Sequence, residues 1–295
     1  MRDGVITKAL SGFYYVTSDG ETIECKARGR FRRDGTSPLV GDNVSFTITD
    51  EGKGIIDKVM ERRNSFVRPA VANVDYLVII AANVNPVTDP YLIDRVTVIA
   101  EKADCKSIIC INKVDLDPGD ELFEIFSKTG YKVIRTSAAT GEGIQELRET
   151  IKGKISAFTG NSGVGKSSIL NALSPEFNIK VGEVSEKLGR GKHTTRHVEL
   201  FSIGDNTFIA DTPGFASFDM DRMPPILKDE LQYMFPEFSN YTGRCQFDNC
   251  IHIKEPGCAV LEALKRGEIH KSRHSSYVRL HALSSQLNEW ELKKS

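Results

Sequence analysis

The sequence predicts an α/β protein made of a small β-barrel, a doubly wound sheet and a mostly helical last unit. Three observations predict it. Residues 1–68 run in short apolar–polar alternations broken by turn residues. From Asn73, apolar runs alternate with segments of helical period. Beyond Phe218, three cysteines and a histidine crowd between positions 245 and 258. Strands alternating with helices form a parallel sheet covered on both faces, whereas short strands at close spacing form barrels or sandwiches. A chain of 295 residues suits two or three domains at about 150 residues each. With 40% hydrophobic and 27% charged residues it can bury cores, and 24 Gly and 11 Pro without a period exclude collagen-like and low-complexity classes.

In residues 1–68, strands are predicted at Val5–Ala9, Phe13–Ser18, Thr22–Arg28, Val44–Thr49 and Ile55–Met60, with turn chemistry at Ser18-Asp19-Gly20, Asp34-Gly35 and Asp50-Glu51-Gly52. Five such strands fit an OB-fold barrel, and an SH3-like barrel has a similar count. Residues 69–220 open with Val74–Val84, an apolar run of the kind buried on both faces of a parallel sheet. Asp89-Pro90 is an N-cap followed by proline in the first turn, and Leu92, Ile93, Val96, Ile99, Ala100 and Ala103 follow at helical spacing. The alternation continues with strands Ser107–Ile111, Lys132–Thr136 and Ile155–Thr159 and helices near Glu121–Lys128, Ile144–Ile151 and Ser167–Leu173. Residues 198–210 form an antiparallel hairpin around Gly204-Asp205-Asn206. In residues 221–295, Pro224-Pro225 opens a helix, and Leu280, Leu283, Leu287 and Trp290 mark the apolar stripe of a final one.

The longest apolar run, Tyr76 to Ala82, falls far short of the ~20 residues of a membrane span, and Met1-Arg2-Asp3-Gly4 leads into no signal-peptide core. Cys25, Cys105 and Cys110 are scattered. This pattern fits a reduced cytoplasmic chain with one local metal site and no membrane partner; nothing in it requires more than a monomer.

Gly160-Asn161-Ser162-Gly163-Val164-Gly165-Lys166-Ser167 satisfies the P-loop pattern between a predicted strand and helix. Its glycines let successive N–H groups face phosphate oxygens; Lys166 reaches the β- and γ-phosphates, Ser167 holds Mg²⁺, and Ser168 joins the nucleotide-binding set. Asn112-Lys113-Val114-Asp115 ends an apolar strand. The Asp115 carboxylate accepts both donors of guanine's Watson–Crick edge, where adenine presents an acceptor that repels it. Ser137-Ala138 fits the turn whose N–H contacts the base. Asp211-Thr212-Pro213-Gly214 offers an acid for Mg²⁺, directly or through water, and the Gly214 N–H for the γ-phosphate. Gly189–Arg196 is a basic loop in which Thr195, rather than Thr194, is taken as the Mg²⁺ ligand.

Cys245, Cys250, His252 and Cys258 follow the spacing C-x₄-C-x-H-x₅-C, a closed set of three thiolates and one imidazole suited to a structural zinc. The alternative is unrelated buried cysteines beside a surface histidine. Two basic segments suit RNA: Lys26–Arg33, with Phe31 among five Lys/Arg, and Lys265–His281, with Lys265, Arg266, Lys271, Arg273 and Arg279. The net charge of −1 conceals an uneven distribution: +2 over residues 1–68, −4 over 69–220 and +1 over 221–295.

GTPases normally carry the P-loop first and Asn-Lys-x-Asp later. Here the base-reading half comes first, and in this order the chain resembles the circularly permuted GTPases. With a barrel before and a Cys/His cluster after, it is similar over its whole length to the ribosome small-subunit-dependent GTPase A family. The resemblance implies a circularly permuted P-loop GTPase domain at 69–220 between an N-terminal OB-fold β-barrel at 1–68 and a C-terminal, mostly helical zinc-binding domain at 221–295. It also implies GTP hydrolysis stimulated by the small ribosomal subunit, a role in late maturation of that subunit, and its rRNA as partner. Phe215 follows Gly214, where many GTPases carry a nearby water-orienting glutamine, so His193 becomes the candidate for that task. The contrasting reading is a non-catalytic, GTP-sensing RNA-binding scaffold.

Overall fold

The computed structural model describes residues 1–29, 31, 37–50, 52–67, 70–177, 198–211 and 226–286. The barrel comprises β1 (Arg2–Leu10), β2 (Phe13–Ser18), β3 (Glu21–Ala27), β4 (Asn43–Ile48) and β5 (Gly54–Val59). Strands β1, β2 and β3 form a meander, β3 pairs β5 in parallel, β5 returns against β4, and β4 closes on β1 with Gly4 opposite Val44. This closed order is that of an OB-fold and settles the choice that strand count leaves open. Ile6, Val16, Cys25, Val44, Phe46 and Ile56 fill its interior. A short hairpin, β6 (Ser65–Val67) and β7 (Ala70–Ala72), follows; three residues per strand are too few to show a period.

The doubly wound sheet contains β8 (Tyr76–Ala81), β9 (Lys106–Ile111), β10 (Lys132–Arg135), β11 (Ile155–Thr159), β12 (Glu199–Ser202) and β13 (Phe208–Asp211). Its order is β10-β9-β8-β11-β13-β12, parallel except for β12 against β13. The helices are α1 (Pro90–Lys102), α2 (Asp120–Phe126), α3 (Ile144–Ile151) and α4 (Lys166–Leu173). As the sequence predicts, Asp89 caps α1, its Oδ1 accepting the Tyr91 N–H at 2.9 Å. β8 stops at Ala81, short of the predicted Val84, because the chain turns: the Ala82 N–H donates to Thr88 Oγ1 at 3.0 Å and the Thr88 N–H to the Ala82 carbonyl at 2.8 Å.

Barrel and sheet are continuous, since β1 also pairs β12 with Lys8 opposite Glu199, an ion pair of 3.0 Å. Asp75 fastens the second seam, accepting from Arg63 at 2.8 Å and from the Ile155 N–H at 2.8 Å.

The last unit holds two 3₁₀ turns, Leu231–Met234 and Pro236–Phe238, then α5 (Ala259–Lys265) and α6 (Lys271–Ser284). Its core of Leu231, Phe235, Phe238, Val260, Ile269, Tyr277 and Leu280 includes Tyr91 and Val98 from α1. Leu280 is buried as predicted, but Leu283 is 48% exposed, a departure from the predicted stripe; Leu287, Trp290 and Pro224-Pro225 lie outside the described residues. The face that α6 buries is polar: Arg273, His274, Ser276, Tyr277, Leu280 and His281. Arg273 is fully buried and donates to Asp94 Oδ1 of α1 at 2.6 Å and to both Glu237 oxygens at 2.7 and 3.0 Å. Burial works against its charge, yet the two carboxylates more than offset this and hold the guanidinium protonated well above its usual range.

The seat of the β6–β7 hairpin against the barrel rests on Gly41, at φ +90°, where a Cβ would fall 2.0 Å from the Ala72 carbonyl oxygen. Gly41→Ala is expected to lower stability by about 2 kcal/mol or more, read as a fall in urea midpoint with unchanged slope.

Candidate nucleotide and metal sites

The P-loop joins β11 to α4. Every residue of β11 is buried, which sets the strand in the middle of the sheet and presents Gly160 at the carboxyl edge, where such sheets bind ligands. Gly165 matters most. It takes φ +95°, and a Cβ there would lie 2.3 Å from Asn112 Nδ2. The space left open admits the buried Asn112 amide, whose Nδ2 donates to the Val164 carbonyl at 2.8 Å. Its Oδ1 accepts from the Ala138 N–H at 3.3 Å and from Thr136 Oγ1 at 3.5 Å. One side chain thus pins the P-loop to the ends of β9 and β10. Lys166, Ser167 and Ser168 form the first turn of α4, with Ser167 buried; Asn161, Ser162 and Gly163 are exposed.

Asp115 is exposed at the same edge, one oxygen held by Ser137 Oγ at 2.5 Å, while the Thr140 N–H donates to that hydroxyl at 3.2 Å. This turns the carboxylate and leaves its other oxygen for a ligand. Lys113 donates through Nζ to the Asn85 carbonyl, and a Cβ on Gly163 would lie 3.2 Å from Pro86 Cδ. The β8–α1 loop is therefore a wall of the site that sequence reasoning missed, since Asn85-Pro86 matches no motif.

The structure brings Asn112, Lys113, Asp115, Ser137 and Ala138 together with Gly160–Ser168. Asp211 ends β13, whose Ala210 pairs with Ala157 of β11, placing that residue's backbone one strand over from the P-loop. The Asp211 side chain, Thr195, His193 and Gly214 lie outside the described residues.

Cys245, Cys250, His252 and Cys258 offer ligand atoms within 4.8 Å of one another. Cys245 and Cys258 sulfurs are 3.9 Å apart, and His252 Nδ1 is 3.5 and 3.4 Å from them. Tetrahedral zinc with bonds of about 2.0–2.3 Å spaces its ligand atoms by roughly 3.5–3.8 Å, so the donor set fits. With Nδ1 facing the thiols, Nε2 lies 2.9 Å from Gln232 Oε1 and donates to it, the outer partner that fixes a ligating imidazole. Gln232 sits 20 residues upstream of His252, beyond any spacing signal. Two bonds hold the loop from α6: His274 Nε2 to the His252 carbonyl at 2.8 Å and Tyr277 Oη to the Ile251 carbonyl at 2.9 Å.

The basic segments divide. Lys26 lies 5.2 Å over the Phe13 ring, and Arg28 pairs with Asp57 at 2.5 Å; Arg30, Arg32 and Arg33 lie outside the described residues. Phe31 is buried. Lys265, Arg266, Lys271 and Arg279 are exposed. Arg273 corrects the predicted patch: two acidic partners and an apolar pocket draw it inside, where it faces no nucleic acid.

The family model described as RsgA GTPase matches residues 59–221, and that described as RsgA N-terminal domain matches residues 3–56. A relative from Caldanaerobacter subterraneus subsp. tengcongensis, named small ribosomal subunit biogenesis GTPase RsgA, is 44% identical and the match covers 94% of each chain. One from Geobacillus kaustophilus with the same name is 46% identical, covering 94% of this chain and 96% of that one. Among solved structures, YjeQ from Thermotoga maritima superposes with a TM-score of 0.84 at 37% identity, covering 97% of this chain and 99% of its own. YloQ, described as a circularly permuted GTPase, gives 0.80 at 35%, covering 97% and 96%. Given the sheet order, the P-loop and these matches over nearly the full length, the chain belongs to the RsgA family of circularly permuted GTPases and is a GTP hydrolase.

Proposed function

We propose that this GTPase binds the small ribosomal subunit, acts late in its maturation, and turns GTP into GDP and phosphate faster on the subunit than off it. The observation that carries the nucleotide chemistry is the Asn112 amide, which joins a guanine-reading edge to a phosphate-binding loop. The subunit assignment is supported by the names of the relatives. In this reading Asn112, Lys113, Asp115, Ser137 and Ala138 take the base, and Gly160 to Ser168 take the phosphates, with Lys166 neutralising charge on the β- and γ-oxygens. Ser167, Thr195 and Asp211 hold Mg²⁺, directly or through water, and the ion supplies further neutralisation. Gly214 reads the γ-phosphate. Phe215 offers no water-orienting amide, which leaves His193 for that task and makes unstimulated turnover slow.

The three parts divide the work at residues 1–68, 69–220 and 221–295. Cys245, Cys250, His252 and Cys258 hold one structural zinc, with no open position for catalysis. Lys26, Arg28 and their basic neighbours on the barrel, and Lys265, Arg266, Lys271 and Arg279 on the last unit, contact rRNA. The protein works in the cytoplasm as a monomer.

GTP and ATP hydrolysis measured with and without purified small subunits tests this reading. GTP turnover is expected to rise at least tenfold with subunits and ATP turnover to stay at background; absence of stimulation would undo the ribosomal assignment while leaving the fold intact. Asp115→Asn replaces a carboxylate acceptor with a donor toward guanine. GTP affinity should fall about 100-fold or more, as for a lost paired donor set, while a xanthine nucleotide, which presents a carbonyl there, should bind better; competition titration reads both. Metal analysis should find one zinc equivalent, and chelation or Cys250→Ser should release it and lower the helical signal of the last unit on warming.

A further inference from the structure

Arg273 touches no residue of the nucleotide site, yet the helix it grips leads there. Asp94, its partner at 2.6 Å, lies in the first half of α1. The same helix is held by the Arg279 guanidinium, 3.7 Å over the Tyr91 ring, and by the 2.7 Å pair of Lys102 with Glu230. Upstream, the Asp89 cap and the paired bonds between Ala82 and Thr88 close the preceding loop at both ends. That loop carries the Asn85 carbonyl that anchors Lys113 and the Pro86 ring beside Gly163. A shift of α1 along or about its axis therefore moves the anchor of the base-reading lysine and one wall of the P-loop.

We propose that Arg273 is a positioning residue for the nucleotide site. By holding Asp94 it fixes α1 and the loop from Ala82 to Thr88, so that docking of the last unit and nucleotide affinity are coupled. The inference rests on the guanine-nucleotide reading of the site. Coupling of this kind is reciprocal: whatever factor docking adds to nucleotide affinity, bound nucleotide adds to docking. The exposed Lys102–Glu230 pair is screened by water and adds little, whereas breaking the buried Arg273 pair leaves an uncompensated charge inside the protein.

The test compares the full chain with Arg273→Met, Asp94→Asn, the double variant, and Lys102→Met as an interface control. Equilibrium titration with a fluorescent GDP is the readout. Arg273→Met and Asp94→Asn should each weaken GDP about fivefold or more, within the usual range of coupling. The double variant should be no weaker than the worse single one, because both break one link. Lys102→Met should stay within twofold, and zinc content should remain at one equivalent in every variant. Saturating GDP should slow amide exchange along α6 in the unmodified protein but not in Arg273→Met, a nucleotide-dependent response that lost packing alone does not produce. GDP affinities within twofold of the unmodified protein in both single variants would overturn the proposal. Asp94→Asn decides it alone if Arg273→Met does not fold. Absence of GDP binding by the unmodified protein would instead sink the nucleotide reading beneath it.

Discussion

The site depends on one buried amide. Asn112 stands at the end of β9 and Val164 in the P-loop, 52 residues later, so no local rule brings them together. Three hydrogen bonds satisfy the amide, and a buried amide left unpaired would cost more than such bonds return in water. The constraint acts in both directions: Gly165 must lack a side chain for Asn112 to enter, and Asn112 must be present for the loop carbonyl to be satisfied. The permuted order places β9 and β10 before the P-loop in the chain, and the amide joins in space what 52 residues separate in sequence.

The flanking parts attach to different elements of this core. The barrel extends the sheet through β1 on β12 and is tied again by Arg63 on Asp75, at the amino ends of the parallel strands. The last unit packs on α1 through the clustered rings of Phe235, Phe238 and Tyr277, and its buried Arg273 lies over the rings of Phe126, Tyr131 and Phe235. Its Cys/His cluster adjoins that aromatic core, His252 standing edge-on to Phe238 with centroids 6.2 Å apart. A metal held there would brace the same core that seats Arg273. The edge of β12, which would otherwise expose unpaired backbone groups, is covered by the barrel.

Strands and helices of the doubly wound part were legible because each obeys a period that neighbouring residues share. The cap at Asp89, the buried run of β11 and the hairpin around Gly204 all match their sequence signals within a residue or two. Where reading and structure part, the cause is tertiary. β8 ends early because Thr88 folds back on Ala82, and β6–β7 is too short to carry a pattern. Leu283 follows the helical period of α6 yet faces solvent, since the buried face of that helix runs through Arg273, Tyr277 and Leu280 and turns away before it.

The motifs that could carry the chemistry are legible in the chain alone. A complete P-loop, an Asn-Lys-x-Asp and a Cys₃His set are local spacings, and a ligand sees them through backbone geometry that neighbouring residues impose. Which charges remain available is set by folding. Arg273 looks in sequence like its neighbours in a basic run, but it lies against Asp94, 179 residues away, and is withdrawn from the surface. Gln232 behind His252 and Asn85 beneath Lys113 were hidden for the same reason. Burial and partnership are properties of contacts between distant segments, and a polar side chain carries no mark of them until the chain has folded.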